Sequence, residues 1–99
     1  MKALIWLSSD CSSLEEIVQA LKSQGQEAAI LLVQDGVFMA DKGCPHSDEL
    51  KTLKVKVYAS KKHVEERGLG DRLVVDVDLV DYSRIVDLMM DEYDKVISL

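Results

Sequence analysis

Two uninterrupted apolar runs constrain this chain more than any other feature: Ala3 to Leu7 and Ala28 to Val33. Each has the length of a β-strand, and neither alternates with polar residues. A strand that is apolar on both sides must be covered on both faces, which is the situation of a parallel sheet flanked by helices. Between them the pattern changes period. Leu14, Ile17, Val18 and Leu21 fall at i, i+3, i+4 and i+7, one helical stripe. Ser12 with Glu15, or Ser13 with Glu16, forms a capping box at its start, while Lys22 and Gly25 mark its end.

The same alternation continues. Gln34-Asp35-Gly36 turns the chain out of the second strand, with Gly36 expected to supply the positive φ, and 37–40 makes a short helical turn. A loop over 41–47 leads to a short helix capped by Ser47, with Asp48 and Glu49 in its first turn. Val55 to Tyr58 is a third strand, more alternating and therefore expected to be less covered. Ser60 caps a helix that runs to about Arg67 and closes at Gly68. Leu73 to Val80, interrupted by Asp76 and Asp78, reads as a strand with one wet face or at an edge. Asp81 or Ser83 opens a last helix with Tyr82, Ile85, Val86 and Met89 expected on one side, and Val96 to Leu99 adds a short strand. The order β-α-β-α-β-α-β-α-β predicts an α/β fold: a three-layer α/β/α domain over 1–99 with a mostly parallel sheet of four or five strands. In such sheets sites form outside the carboxyl ends of the strands, here the loops 8–13, 34–47 and 59–61.

Charge excludes some partners. Twelve basic residues against eighteen acidic give a net charge of −6. Phosphate neutralisation needs a basic face, so direct nucleic-acid binding is not expected, nor is binding to an anionic membrane. No run approaches the roughly eighteen apolar residues of a membrane span. The apolar start ends at Ser8 and Ser9 and is too short for a signal peptide, so it reads as the first strand. Two cysteines are too few for a disulfide framework, and the chain is expected in the cytoplasm.

Nucleotide loops and serine-nucleophile elbows are missing, and the set Cys44, His46, Asp48 and Glu49 lacks the paired ligands of a zinc site. No cofactor and no metal are therefore expected. Cys11 and Cys44 are the candidate nucleophiles. Cys11 precedes the longest helix, whose free N–H groups and dipole stabilise a thiolate, so it is the better placed of the two. Cys44 precedes Pro45, and the acidic pair Asp48 and Glu49 raises rather than lowers a nearby thiol pKa. A Cys11–Cys44 disulfide across neighbouring loops is allowed by this topology. His63 reads as a surface residue. Arg67 and Gly68 read as a helix end. Trp6, Phe38, Met39, Met89, Met90 and Tyr93 form a generous apolar supply for so small a domain, which predicts an oligomer, a homodimer when the chain is alone.

Leu31 to Val37 with its Gln34-Asp35-Gly36 turn, Lys56-Val57-Tyr58-Ala59, Glu66-Arg67-Gly68-Leu69 and Asp81-Tyr82 occur in this order. In this the chain resembles the TusB/DsrH family of the DsrE/DsrF/DsrH-like superfamily. The resemblance runs over nearly the whole chain. It implies a small cytoplasmic subunit of a sulfur relay, partnered by TusC/TusD-like or DsrE/DsrF-like proteins. Persulfide sulfur is passed there toward 2-thiolation of the tRNA wobble uridine or through sulfur oxidation. It also implies that Gln34, Asp35, Gly36, Arg67, Gly68 and Tyr82 are family motif or binding positions. The cysteine of those DsrH members that carry one falls near Ile17 here, and that of TusD/DsrE subunits near Tyr58, so neither Cys11 nor Cys44 matches. The resemblance therefore implies a scaffold or binding subunit. A self-sufficient persulfide carrier, or a homodimeric redox or regulatory protein, is the alternative.

Overall fold

The computed structural model describes residues 2–9, 13–41, 43–45, 48–53, 55–73 and 77–99. The expectations placed on Cys11, Ser12, His46, Ser47 and Asp76 lie outside these residues.

The apolar runs become two interior strands, β1 (Lys2–Leu7) and β2 (Glu27–Leu32). Three more strands, β3 (Lys56–Ser60), β4 (Asp78–Val80) and β5 (Lys95–Ser98), complete a five-stranded sheet in the order β4-β3-β2-β1-β5. Every strand pairing is parallel, with Ile5 opposite both Ile30 and Ile97, and Leu31 opposite Tyr58. The helices are α1 (Glu15–Ser23), a 3₁₀ helix (Gln34–Ala40), α2 (Glu49–Thr52), α3 (Lys61–Glu66) and α4 (Tyr82–Asp87), the last extended by a π turn (Leu88–Glu92).

Strand order decides which face each helix covers. The steps from β1 to β4 all run one way across the sheet, and the step from β4 to β5 runs back. Right-handed crossovers then put the first three connections on one face and the last on the other. The core follows this division. On the first face Ile5, Leu7, Ile30 and Leu32 pack with Leu14, Val18 and Leu21 of α1, Met39 of the 3₁₀ helix, Leu50 and Val64. On the second, Leu4, Leu31, Val33, Tyr58 and Val80 meet only Ile85 and Leu88, with Trp6, Met89 and Tyr93 packed at the margin.

Several local expectations are corrected. The Ser13–Glu16 capping box does not form at α1: Leu14 is the cap residue and no side chain caps it. Instead Ser13 Oγ donates to Glu49 Oε1 (2.8 Å), and the Leu14 N–H points to Glu49 Oε2 (3.4 Å), so a carboxylate from α2 serves the α1 start. β3 is covered on both faces, because it lies between β2 and β4: Val57, Tyr58, Ala59 and Ser60 are all buried. The strand expected over 73–80 is the three-residue edge strand β4, while Leu73 instead makes an antiparallel bridge to Asp41. Tyr82 and Val86 face outward from α4, leaving Ile85 and Leu88 as its buried side. Of the six residues expected to be surplus apolar surface, Met39 is fully buried, Trp6, Phe38, Met89 and Tyr93 are partly buried, and Met90 alone is exposed.

Gly36 is needed for a different reason from the one its turn predicts. The residue with positive φ leaving β2 is Gln34 (49°), not Gly36. Gly36 is buried against the end of β1, where a Cβ would lie 2.0 Å from the Leu7 carbonyl oxygen. Only a residue without a side chain lets the 3₁₀ helix approach β1 this closely.

Candidate functional site

A cleft of about 670 Å³ opens at the carboxyl ends of β1, β2 and β3. Its place follows from the fold. The second face has one helix to cover it, and that helix leaves one corner of the sheet uncovered, with Trp6 and Val33 lining the opening. Ile85 and Tyr82 of α4 form one wall, and Ser60, Lys61, Lys62 and His63 form the other. The volume lies in the range of small-ligand and side-chain pockets, and the position matches the rule for parallel sheets.

The α3 wall is built by one chain reversal. Ser60 ends β3 in extended conformation and its hydroxyl accepts the His63 N–H (3.4 Å), as the sequence predicts. This brings His63 back toward β2, where its Nδ1 accepts the backbone N–H of Gln34 at 2.8 Å. An accepting Nδ1 carries no proton, so neutral His63 holds its proton on Nε2. The same bond holds Gln34 in its left-handed conformation. Beside it, Arg67 Nε donates to Asp35 Oδ1 at 3.1 Å, and its NH2 lies 3.1 Å from the same oxygen. The pair is exposed and contributes little stability, but it fixes the 3₁₀ helix to the end of α3. Gly68 takes positive φ (66°), and the Gly68 and Leu69 N–H groups return to Glu65 and Val64 carbonyls, closing α3.

The structure thus joins Gln34 to His63 and Asp35 to Arg67; Gln34, His63 and Tyr82 line the cleft, whereas Asp35 and Arg67 are not among its lining residues. Gly36 and Gly68 shape the backbone on either side. Ser60 and Lys61 belong to the loop 59–61 expected at the site, whereas the lining roles of Trp6, Lys62 and His63 were missed. The loop 59–61 at the carboxyl end of a strand was the available signal, and Trp6 was hidden inside an apolar run.

Cys44 is elsewhere. It is 7% exposed, packs in the first-face core and is disulfide-bonded. Its backbone N–H donates to the Asp41 carbonyl at 3.0 Å. No cysteine among the described residues lines the cleft, and no group of three or more metal-ligating side chains occurs among them. No helix of the described residues is long and apolar enough to cross a membrane.

A second feature marks the opposite end of the same face. Tyr58 and Tyr93 meet edge to face, with hydroxyls 3.3 Å apart. Burial, then the hydrogen bond to Tyr58, pushes the Tyr93 phenol well above the usual tyrosine range. Lys56 lies over the Tyr58 ring and Lys2 over the Tyr93 ring.

Known proteins resemble this chain in sequence and in fold. The sequence model of DsrH-like proteins matches residues 8–96. Protein TusB of Salmonella arizonae and Protein TusB of Salmonella typhimurium are each 35% identical over 78 residues, 79% of this chain and 82% of theirs. Among solved structures, the ychN protein from E. coli superposes with a TM-score of 0.74 at 18% identity, over 100% of both chains. MTH1491 from Methanobacterium thermoautotrophicum, a protein of unknown function, gives 0.73 at 16% identity, over 99% of this chain and 98% of its own. These two likenesses show the fold. Tm0979 from Thermotoga maritima gives 0.57 at 28% identity, over 91% of this chain and 93% of its own. With the sequence model spanning nearly its whole length, the chain belongs to the DsrH-like protein family.

Proposed function

We propose that this chain is a binding subunit of a cytoplasmic sulfur-relay complex. In this reading it serves persulfide transfer toward 2-thiolation of the tRNA wobble uridine without itself carrying the sulfur. Its partners are TusC/TusD-like or DsrE/DsrF-like proteins, and tRNA is reached through them. Membership of the DsrH-like family supports the relay. The binding role rests on one observation: the cleft is lined by Trp6, Tyr82, two lysines and His63, whereas Cys44 is buried on the other face of the sheet. Persulfide transfer requires an accessible thiolate to attack the outer sulfur of a donor. A buried, disulfide-bonded sulfur is poorly placed for that attack.

The test separates binding from carrying. Purified chain is incubated with a cysteine desulfurase and cysteine, and added sulfur is mapped by peptide mass spectrometry. Neither Cys11 nor Cys44 is expected to gain sulfur. In cells, deletion of the gene is expected to lower thiolated wobble uridine, and a Cys11→Ser/Cys44→Ser chain to restore it. Sulfur on either cysteine, together with failure of that double variant to restore thiolation, would establish the carrier reading instead. Unchanged thiolation in the deletion would remove the relay itself.

A further inference from the structure

The outer face of α4 carries an apolar stripe that touches the cleft at Tyr82 and continues beyond it. Tyr82, Val86 and Met90 recur every four residues along α4 and its π turn, and they are 81%, 38% and 75% exposed. Four-residue spacing places them on one side of the helix, opposite Ile85 and Leu88. Lys61 and Lys62 line the cleft together with the Tyr82 end of the stripe, whereas the sequence around Val86 and Met90 is acidic. The stretch 78–94 holds Asp78, Asp81, Asp87, Asp91, Glu92 and Asp94 against the single Arg84, so five of the chain's six excess negative charges lie on it. That one cation is already taken, because the Arg84 guanidinium is held by the Glu92 carboxylate, with NH2 and Oε1 3.3 Å apart. Asp78 pairs with Lys56, Asp81 caps α4 and Asp94 accepts the Lys2 N–H. Asp87 and Asp91, beside Val86 and Met90, make no ion pair or hydrogen bond among the described residues.

We propose that this face docks a different protein through an apolar groove rimmed by lysine and arginine. The sign of the charge selects the occupant. Nucleic acid and anionic lipid are repelled by it. A second copy is a poor fit, because a two-fold contact sets the same patch against itself and opposes Asp87 and Asp91 to their own kind. A basic-rimmed groove satisfies both features: it covers Tyr82, Val86 and Met90, the i, i+4, i+8 anchors of a helix in a groove, and it neutralises the flanking carboxylates. The inference deepens the binding role proposed above by naming the partner's chemistry, and it stands on the outer surface of α4, where Val86 and Met90 lie outside the cleft lining and Tyr82 borders both.

The test places a benzophenone amino acid at position 90 of the full chain in its native cells, with position 19 on α1 as control. The adduct is mapped by mass spectrometry. Position 90 is expected to attach to a different protein, at a segment flanked by lysine or arginine. Asp87→Lys/Asp91→Lys is expected to lower the adduct by about tenfold or more, and Asp87→Asn/Asp91→Asn by less, since charge reversal repels where neutralisation only removes attraction. Far-UV circular dichroism confirms that both variants fold. An adduct between two copies, no adduct above the control, or an adduct indifferent to charge reversal would overturn the inference. An adduct of the expected kind with a protein unconnected to thiolation upholds this inference and removes the relay reading. A thiolation defect on deletion without the adduct does the reverse.

Discussion

The two faces of the sheet are built from the same strands and differ in how they are closed. The first is covered by α1, the 3₁₀ helix, α2 and α3, and apolar side chains from Ile5 to Met39 are buried beneath them. The second is covered by α4 and one π turn, and it includes a hydrogen-bonded tyrosine pair, an open cleft and an exposed apolar stripe. The difference teaches that burial follows strand order before it follows hydrophobicity. Leu4 and Ile5 are adjacent and equally buried, yet one faces a thick layer and the other a thin one. Three crossovers share the first face and one serves the second, and the cleft and the exposed stripe lie on the side with fewer helices.

The sharpest way to break this comparison is at the closest approach on the first face. Gly36→Ala drives a Cβ into the Leu7 backbone and is expected to cost about 4 kcal/mol in urea unfolding, among the largest effects a single substitution gives. A cost below about 1 kcal/mol, as for an ordinary surface site, would show that the 3₁₀ helix is not pressed onto β1.

Cavity-forming substitutions compare the layers directly. Ile5→Ala on the first face is expected to destabilise by about 3 kcal/mol, and Leu88→Ala on the second by about 2 kcal/mol, because a thin layer relaxes into the space more easily. Equal losses would mean that both faces are equally rigid.

The tyrosine pair sharpens the comparison through pH. The Tyr93 phenol has its folded pKa raised above the ordinary value of 10.0, by burial first. Above that value the unfolded chain loses this proton while the folded chain keeps it, so the folded state binds more protons and stability falls as pH rises. Below it the contribution is constant. Tyr93→Phe is expected to flatten the alkaline fall and, by removing the hydrogen bond to Tyr58, to cost about 1 kcal/mol at neutral pH. An ultraviolet titration of wild type that lacks a late-ionising phenol would contradict the geometry.

Smallest of all, Met90→Gln is expected to leave folding unchanged within about 0.5 kcal/mol, since its side chain is exposed. A larger loss would mean that the stripe is part of the core of the free chain.

Much of the fold was legible because its signals are local. The runs Ala3–Leu7 and Ala28–Val33 can satisfy their apolar side chains only when covered twice, and they became interior strands. Ser60 and Asp81 cap the helices that follow them, and Gly68 closes α3, because these motifs are made by neighbours in sequence. The failures share one cause. The serine of the expected α1 box went to Glu49, 36 residues away, once tertiary packing offered a better acceptor. The alternation of β3 was real, but its polar partners did not decide its burial; its place between β2 and β4 did.

The candidate site divides along the same line. Sequence pointed to Gln34, Asp35, Gly36, Arg67, Gly68 and Tyr82 and to the carboxyl ends of the strands. It did not pair Asp35 with Arg67 or set Gln34 against His63, contacts spanning 32 and 29 residues. What the sequence by itself determined is the set of strands and helices, since periodicity and caps act within a few residues. The faces, the cleft and the acidic stripe were decided only by the tertiary structure. They depend on which strand neighbours which, and that choice minimises exposed apolar surface over the whole chain at once.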